Sequence, residues 1–173
     1  MEELDEVTIR PATVHDAAAI AEVHVRSWQH AYAGIVPAPY LDSLDPLARA
    51  VAWADLLARG PADEVRTWVA VVGPVLTGFA SVGPARDEDA QRGEKEIYSI
   101  YLEPGAWGRG VARELLRTVI AEAGSRTPLS LWVLADNSRA RHFYRRNGFV
   151  ADGVERYDEL GGAQLLKVRY RRG

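Results

Sequence analysis

The residues Trp107-Gly108-Arg109-Gly110-Val111-Ala112 stand between a strand-like run, Ile97–Leu102, and a segment, Val111–Ala123, whose Val111, Leu115, Leu116, Val119 and Ile120 share one helical face. A helix that starts here leaves its first backbone N–H groups unpaired and carries about half a positive charge at that end. A phosphate docked against it is hydrogen-bonded and electrostatically favoured. Gly108 and Gly110 let an anion approach, and Arg109 and Arg113 add formal charge at the same mouth. The plainer alternative is a glycine-rich turn that only starts a helix. Two common nucleotide motifs do not fit. A P-loop ends in Gly-Lys-Ser/Thr, and neither Lys95 nor Lys167 is near; a dinucleotide fingerprint needs a third glycine where Arg113 stands.

A second run lies downstream, Asn137-Ser138-Arg139-Ala140-Arg141-His142-Phe143-Tyr144-Arg145-Arg146-Asn147-Gly148-Phe149. With the strand Glu96–Leu102 and Pro104 two residues beyond it, the two runs resemble the GCN5-related N-acetyltransferases. The family's loop pattern, Gln/Arg-x-x-Gly-x-Gly/Ala, is met from Trp107 to Ala112 except at its first position, where Trp107 stands. Its later pattern, Asn-x-x-Ala-x-x-Phe-Tyr-x-x-x-Gly-Phe, is filled at every named position. The resemblance covers roughly Val7 to the C-terminus.

It implies an α/β fold, the GNAT fold: a mixed, mostly antiparallel twisted sheet flanked by helices, with a parallel pair, Glu96–Leu102 and Leu129–Leu134, that splays apart. It also implies acetyl-CoA as cosubstrate and direct attack of a primary amine through a tetrahedral intermediate. By the same resemblance Ile100, Tyr101 and Leu102 offer backbone groups to the acetyl carbonyl and pantetheine arm, and Gly108, Arg109, Gly110, Val111, Ala112 and Arg113 hold the diphosphate. Asn137 reaches the pantetheine or a bound water. Tyr144 protonates the departing thiolate; a thiol near ~8.5 and a phenol near ~10 are close enough for transfer within one hydrogen bond. Tyr144 also has a plainer reading, as packing on an aromatic helix face. A protein of another class, a catalytically idle acyl-CoA-binding sensor or interaction module, would keep the phosphate turn and need neither Tyr144 nor Glu96.

The reaction needs a neutral amine, and an alkylammonium of pKa ~10.4 gives up its proton at pH 7 at a cost of about 4–5 kcal/mol. A base or a water relay should therefore face the cleft. In the histone-acetylating branch of the family a glutamate stands four residues before the first acetyl-contacting residue, where this chain has Glu96. In the ribosomal-protein-acetylating branch the base falls where Trp132 stands, which cannot take a proton. Glu96 also reads as the solvated end of an acidic loop. Strand alternation puts Glu96, Tyr98, Ile100 and Leu102 on one face, so Tyr98 is expected beside Glu96. The family's acceptor pocket, walled by the first helices and last strands, nominates Trp28, Tyr32 and Tyr40, then Tyr157 and Tyr170. Amines from polyamines to protein lysines use this scaffold; the aromatic and acidic residues around Trp28 and Asp42 would suit a small cationic one. His15, His24, His30 and His142 lack metal-ligand spacing, so no metal is expected.

Positioning these residues requires a mixed order of elements. Val7–Arg10 reads as a strand, and Thr13 with Asp16 starts a helix running towards Gly34. Pro37 to Pro39 break the chain, and Asp45-Pro46 start a helix over 47–59 that stops at Gly60. Trp68–Val72 and Val75–Val82 read as a hairpin about Gly73-Pro74, and the charged stretch Arg86–Lys95 as a solvated loop. Strand Leu129–Leu134, a short helix Asn137–Asn147 and strands Phe149–Tyr157 and Leu165–Tyr170 complete the order.

A chain of 173 residues is about one domain long, and no repeat, low-complexity segment or composition shift divides it. Its 47% apolar and 26% charged residues suit an ordinary globular core rather than a disordered tail or a fibre. A net charge of −3 gives no general attraction to nucleic acid or membrane, so any anion must be held locally. Without cysteine there is no disulfide, thiolate metal site or cysteine nucleophile. The acidic residues Met1 to Glu6 do not resemble a signal peptide, and no window matches a membrane span, so the cytoplasm is the expected compartment. A homodimer is expected at the level of the family.

Overall fold

A computed structural model describes residues 6–60 and 64–173 of the chain; the acidic start before Glu6 lies outside them. Strand β1 (Val7–Pro11) leads through a 3-10 turn (Val14–Asp16) into α1 (Ala17–Ala31). Asp16 fixes that corner by accepting from the Thr13 backbone N–H at 2.8 Å and from Arg10 at 2.8 and 2.9 Å. Hydrogen bonding from Arg10 holds the Asp16 carboxyl below the usual carboxylate range. The proline-rich break contains a short helix, α2 (Ala38–Asp42), not foreseen in the sequence. Helix α3 (Pro46–Arg59) starts as expected: the Asp45 side chain accepts from Leu47 N–H at 3.0 Å, with Pro46 at the first position.

The remaining elements are β2 (Arg66–Val72), β3 (Val75–Pro84), β4 (Lys95–Leu102), α4 (Val111–Ala123), β5 (Leu129–Leu134), α5 (Ser138–Arg146), β6 (Val150–Leu160) and β7 (Ala163–Arg172). They form a seven-stranded sheet in the order β1-β2-β3-β4-β5-β7-β6. Neighbours are antiparallel except β4 and β5, which run parallel and pair only at Lys95↔Leu129 and Glu96↔Ser130. The β2–β3 hairpin closes over Gly73-Pro74; Gly73 takes φ 57°, the positive angle that a two-residue turn needs at its first central position.

Helices cover both faces. On one, Leu115, Leu116 and Val119 of α4 pack with Leu129, Leu131, Phe149 and Tyr170. On the other, Ile20 and Val23 of α1 and Trp53 of α3 pack on Val69 and Phe79. Each fully buried aliphatic side chain contributes about 1.5–3 kcal/mol. A third cluster joins Tyr32, Val36 and Leu41 to Leu134, tying α2 to the far end of β5. Among the described residues no helix is long and apolar enough to cross a membrane.

Two expectations are corrected here. First, strand alternation fails in β4, because Ser81↔Ser99 is followed by Val82↔Ile97, leaving Tyr98 as an extra bulged residue. The insertion turns Ile97 to the α4 face with Ile100 and Leu102, so Glu96, its neighbour, does not share their face. Second, the charged β3–β4 loop is anchored rather than solvated. Arg169 of β7, 2% exposed, binds Asp87 at 3.2 Å, Asp89 at 2.6 Å and Asp152 at 2.7 Å. Arg171 meets Glu94 at 3.1 Å, and the Trp132 indole N–H donates to Asp87 at 3.1 Å.

Candidate active site

Pairing between β4 and β5 stops after Glu96 and Ser130, while β3 follows β4 to Leu102 and β7 follows β5 to Leu134. In an antiparallel ladder alternate residues bond one neighbour and the others point away. Half of the backbone groups of Ile97–Leu102 therefore face an open gap, and those of Leu131–Leu134 face it from the other side. This gap is the floor of a cleft of about 710 Å³ that Ile100, Tyr101 and Leu102 line, as expected of them. An extended arm carrying amides and a thioester carbonyl would find a ladder of unused donors and acceptors there.

The mouth is the start of α4. Gly108 and Gly110 take φ of 76° and 83°, a left-handed conformation that side-chain-bearing residues adopt at a cost. A Cβ on either would meet nothing within 4 Å, so backbone conformation rather than clearance calls for glycine. Gly110 provides no side-chain cap, and the first helical bond runs from Glu114 N–H to Gly110 O at 3.1 Å. The N–H groups of Val111, Ala112 and Arg113 lie ahead of that bond and remain for an anion. Val111, Ala112 and Arg113 line the cleft together with both glycines; Arg109 does not. Trp107, which departs from the family pattern, lines it too, donating its indole N–H to Leu102 O at 3.3 Å.

Three phenols converge deeper in. Tyr32 and Tyr101 hydroxyls lie 3.3 Å apart, and Tyr144 lines the same cleft. Burial pushes the Tyr144 phenol well above its ordinary value, with Tyr101 adding to the shift, so at neutral pH it carries its proton. Burial raises Tyr32 as well, and Tyr101 reinforces it. Asn137, also on the wall, spends its side-chain oxygen on the Ala140 N–H at 3.2 Å, capping α5 and so fixing the helix that carries Tyr144.

His24 braces this cluster from behind. Its ring stacks on Tyr101, with centroids 5.6 Å apart and planes 14° from parallel, and its Nδ1 accepts from the Trp53 indole N–H at 3.2 Å. The neutral ring thus carries its proton on Nε2. Burial lowers its pKa to about 4, with Arg49 contributing.

Several nominated residues are not brought to the cleft. Glu96 is 2% exposed; its carboxylate binds the Arg86 guanidinium at 2.7 Å and accepts from Arg86 N–H at 3.1 Å, so the bulge and this ion pair turn it away from a base's position. Tyr98 does line the cleft, with the Arg86 guanidinium 4.1 Å from its ring centre and its hydroxyl donating to Pro84 O. Trp28 stands behind the wall, edge-on to Tyr32 at 4.8 Å. Tyr40 packs against Gly161, Tyr157 is 66% exposed on β6, and Tyr170 is buried, its hydroxyl accepting from Arg141 at 3.0 Å. Sequence reasoning passed over Ser27, Ser99 and Arg139, which line the cleft; Arg139 occupies an unspecified position two residues after Asn137, the only hint available. Among the described residues no group of three His, Asp or Glu side chains is placed to hold a metal.

A splayed parallel strand pair, a helix start with free N–H groups and a buried phenol share one cleft. The chain belongs to the acetyltransferase (GNAT) family, whose model matches residues 21–149, and several of its relatives are named N-acetyltransferases. It is 39% identical over 114 residues to the uncharacterized N-acetyltransferase YuaI of Bacillus subtilis, covering 64% of this chain and 60% of that relative's own length. It is 31% identical over 148 residues to the L-amino acid N-acyltransferase MnaT of Escherichia coli, covering 83% and 80%. The fold is shared with the PaiA N-acetyltransferase of Thermoplasma acidophilum, solved in complex with coenzyme A, at a TM-score of 0.75 and 20% identity over 96% of this chain and 98% of that one.

Proposed function

We propose that the protein moves an acetyl group from acetyl-CoA to a primary amine by direct attack through a tetrahedral intermediate. The observation that carries this is the placement of Tyr144 in the cleft whose floor is the β4–β5 gap and whose mouth is the α4 N-terminus. The thioester supplies the activated acetyl group. Backbone groups of Ile100–Leu102 hold and polarise its carbonyl; comparable oxyanion donors contribute about 3–4 kcal/mol each. The N–H groups of Val111–Arg113 hold the diphosphate; the C–S bond breaks as the Tyr144 hydroxyl gives its proton to the leaving sulfur, and the phenolate regains a proton, through solvent, from the nitrogen that has become the amide. Tyr98 and the Tyr32–Tyr101 pair wall the space for the acceptor.

Among the described residues no carboxylate lines the cleft. The amine's proton is therefore not taken by a carboxylate, and with water receiving it the acceptor's own pKa sets the cost: about 1 kcal/mol at pH 7 for the α-amine of a peptide or amino-acid amide near ~7.8, against about 4–5 kcal/mol for a lysine ε-amine. On this ground an α-amine without a free carboxylate beside it is favoured, and the similarity to an L-amino acid N-acyltransferase separately favours an α-amino group.

The test is release of free CoA thiol from acetyl-CoA with a panel of α-amino acids, amino-acid amides, polyamines and lysine peptides. Turnover with α-amines that Tyr144→Phe slows supports the proposal. Binding of acetyl-CoA without turnover on any amine, unchanged in Tyr144→Phe, would make the chain a binding module instead.

A further inference from the structure

The α4 N-terminus accounts for two of the three phosphates of a CoA thioester, and the rim of the same cleft carries basic side chains that no carboxylate of the described residues neutralises. Arg139, His142 and Arg146 of α5 are spaced i, i+3, i+7 and so share one helical face; all three line the cleft, as does Arg113 across the mouth. Among the described residues none of the four side chains makes an ion pair or hydrogen bond. The next arginine along, Arg141, is fully engaged, donating to Tyr170 Oη at 3.0 Å and Ala135 O at 2.9 Å. In a chain of net charge −3, two unneutralised arginines, Arg139 and Arg146, on one cleft wall, with Arg113 across the mouth, make a local anion surface.

Trp107 sets one end of this row. At the loop position where the family pattern has Gln or Arg, its indole is pinned by the hydrogen bond to Leu102 O and by His30, edge-on at 4.9 Å. Its face receives the Arg139 guanidinium at 4.2 Å from the ring centre. The tryptophan thereby brings a cation from α5 to the loop, where the pattern would place a polar or cationic side chain of the loop itself. Arg139 and Arg146 are seven helical steps of ~1.5 Å apart, so the row extends about 10 Å away from that point, long enough to meet an anion outside the diphosphate cradle.

We propose that Arg139, held on Trp107, and Arg146 bind the ribose 3′-phosphate of the CoA thioester and make the enzyme select phosphorylated CoA over its dephospho form. The proposal rests on acetyl-CoA being the donor. A phosphomonoester carries close to two negative charges at neutral pH and offers three acceptor oxygens, which suits guanidinium donors from one helical face.

Titration calorimetry of the full chain with CoA and with 3′-dephospho-CoA tests it, comparing wild type, Arg139→Gln, Arg146→Gln and Trp107→Leu, with circular dichroism to verify folding. The expected result is that wild type binds CoA at least about 10-fold more tightly than dephospho-CoA, that each arginine variant loses most of that preference while holding dephospho-CoA as wild type does, and that Trp107→Leu lowers the ratio between the two ligands. Equal weakening of both ligands would place the row on the diphosphate and overturn the assignment, as would no change for either. Absence of any heat with wild type and either ligand would instead remove the donor reading on which the proposal stands.

Discussion

The guanidinium of Arg86 and the carboxylate of Glu96 meet at 2.7 Å, joining an exposed cation to a buried anion behind the cleft wall. This pair closes the bulge in β4 against the β3–β4 loop, with Tyr98 over the same guanidinium. Its role is therefore architectural. Glu96→Gln is expected to lower stability by about 1–3 kcal/mol, the range for a buried hydrogen-bonding group that loses its charged partner. The rising limb of the pH–rate profile is expected to stay in place. Urea unfolding and kcat against pH check both; a displaced or abolished limb would restore Glu96 as the base.

Burial keeps the Tyr144 phenol protonated. Tyr144→Phe keeps the ring and its edge contact with Phe149, 5.8 Å between centroids, so stability should change little. Loss of a general acid lowers kcat by roughly 10²-fold or more, with KM for acetyl-CoA within about twofold of wild type. Steady-state kinetics on a good α-amine acceptor separates the two effects.

His24 makes the fold acid-sensitive. Its pKa is about 4 in the folded protein against ~6.5 unfolded, so between these values the unfolded chain takes up a proton that the folded chain refuses. The stability due to neutral His24 is complete above about pH 6.5 and declines as pH falls towards 4, by roughly 3 kcal/mol in all. Urea unfolding at pH 7 and pH 4.5 measures this. The drop should be smaller in His24→Gln by one to three kcal/mol, carboxylates elsewhere contributing equally to both proteins.

Gly110→Ala puts a side chain on a residue at φ 83° with free space around it, so the cost is conformational, about 1–2 kcal/mol. A domain of this size should lose roughly 2–6 °C in Tm. Thermal unfolding followed by calorimetry with acetyl-CoA should show both the lowered Tm and weaker binding, because the strain falls on the turn that aims the Val111–Arg113 N–H groups.

Much of this architecture was legible because it is written locally. Helix α4 and strand β5 occupy Val111–Ala123 and Leu129–Leu134 as the apolar periodicity and flanking glycines predict. The positions of Gly108 to Ala112 and of Tyr144 follow from motifs whose spacing is itself local. What escaped detection depends on distant partners. The bulge at Tyr98 is decided by how β4 pairs with β3, and an inserted residue inverts the alternation from which Glu96 was placed. The charged loop read as solvated because the arginines that hold it, Arg169 and Arg171, lie about eighty residues later. Trp28 and Tyr40 have the composition of a pocket wall, and only tertiary packing shows that they stand behind one.

The account stands most directly on where a CoA thioester lies. A crystal structure of the protein with acetyl-CoA should show the pantetheine arm between Ile97–Leu102 and Leu131–Leu134, the diphosphate on the N–H groups of Val111–Arg113, and the sulfur within hydrogen-bonding reach of the Tyr144 hydroxyl. Density for the ligand at any other place on the molecule, or a sulfur remote from Tyr144, would contradict it.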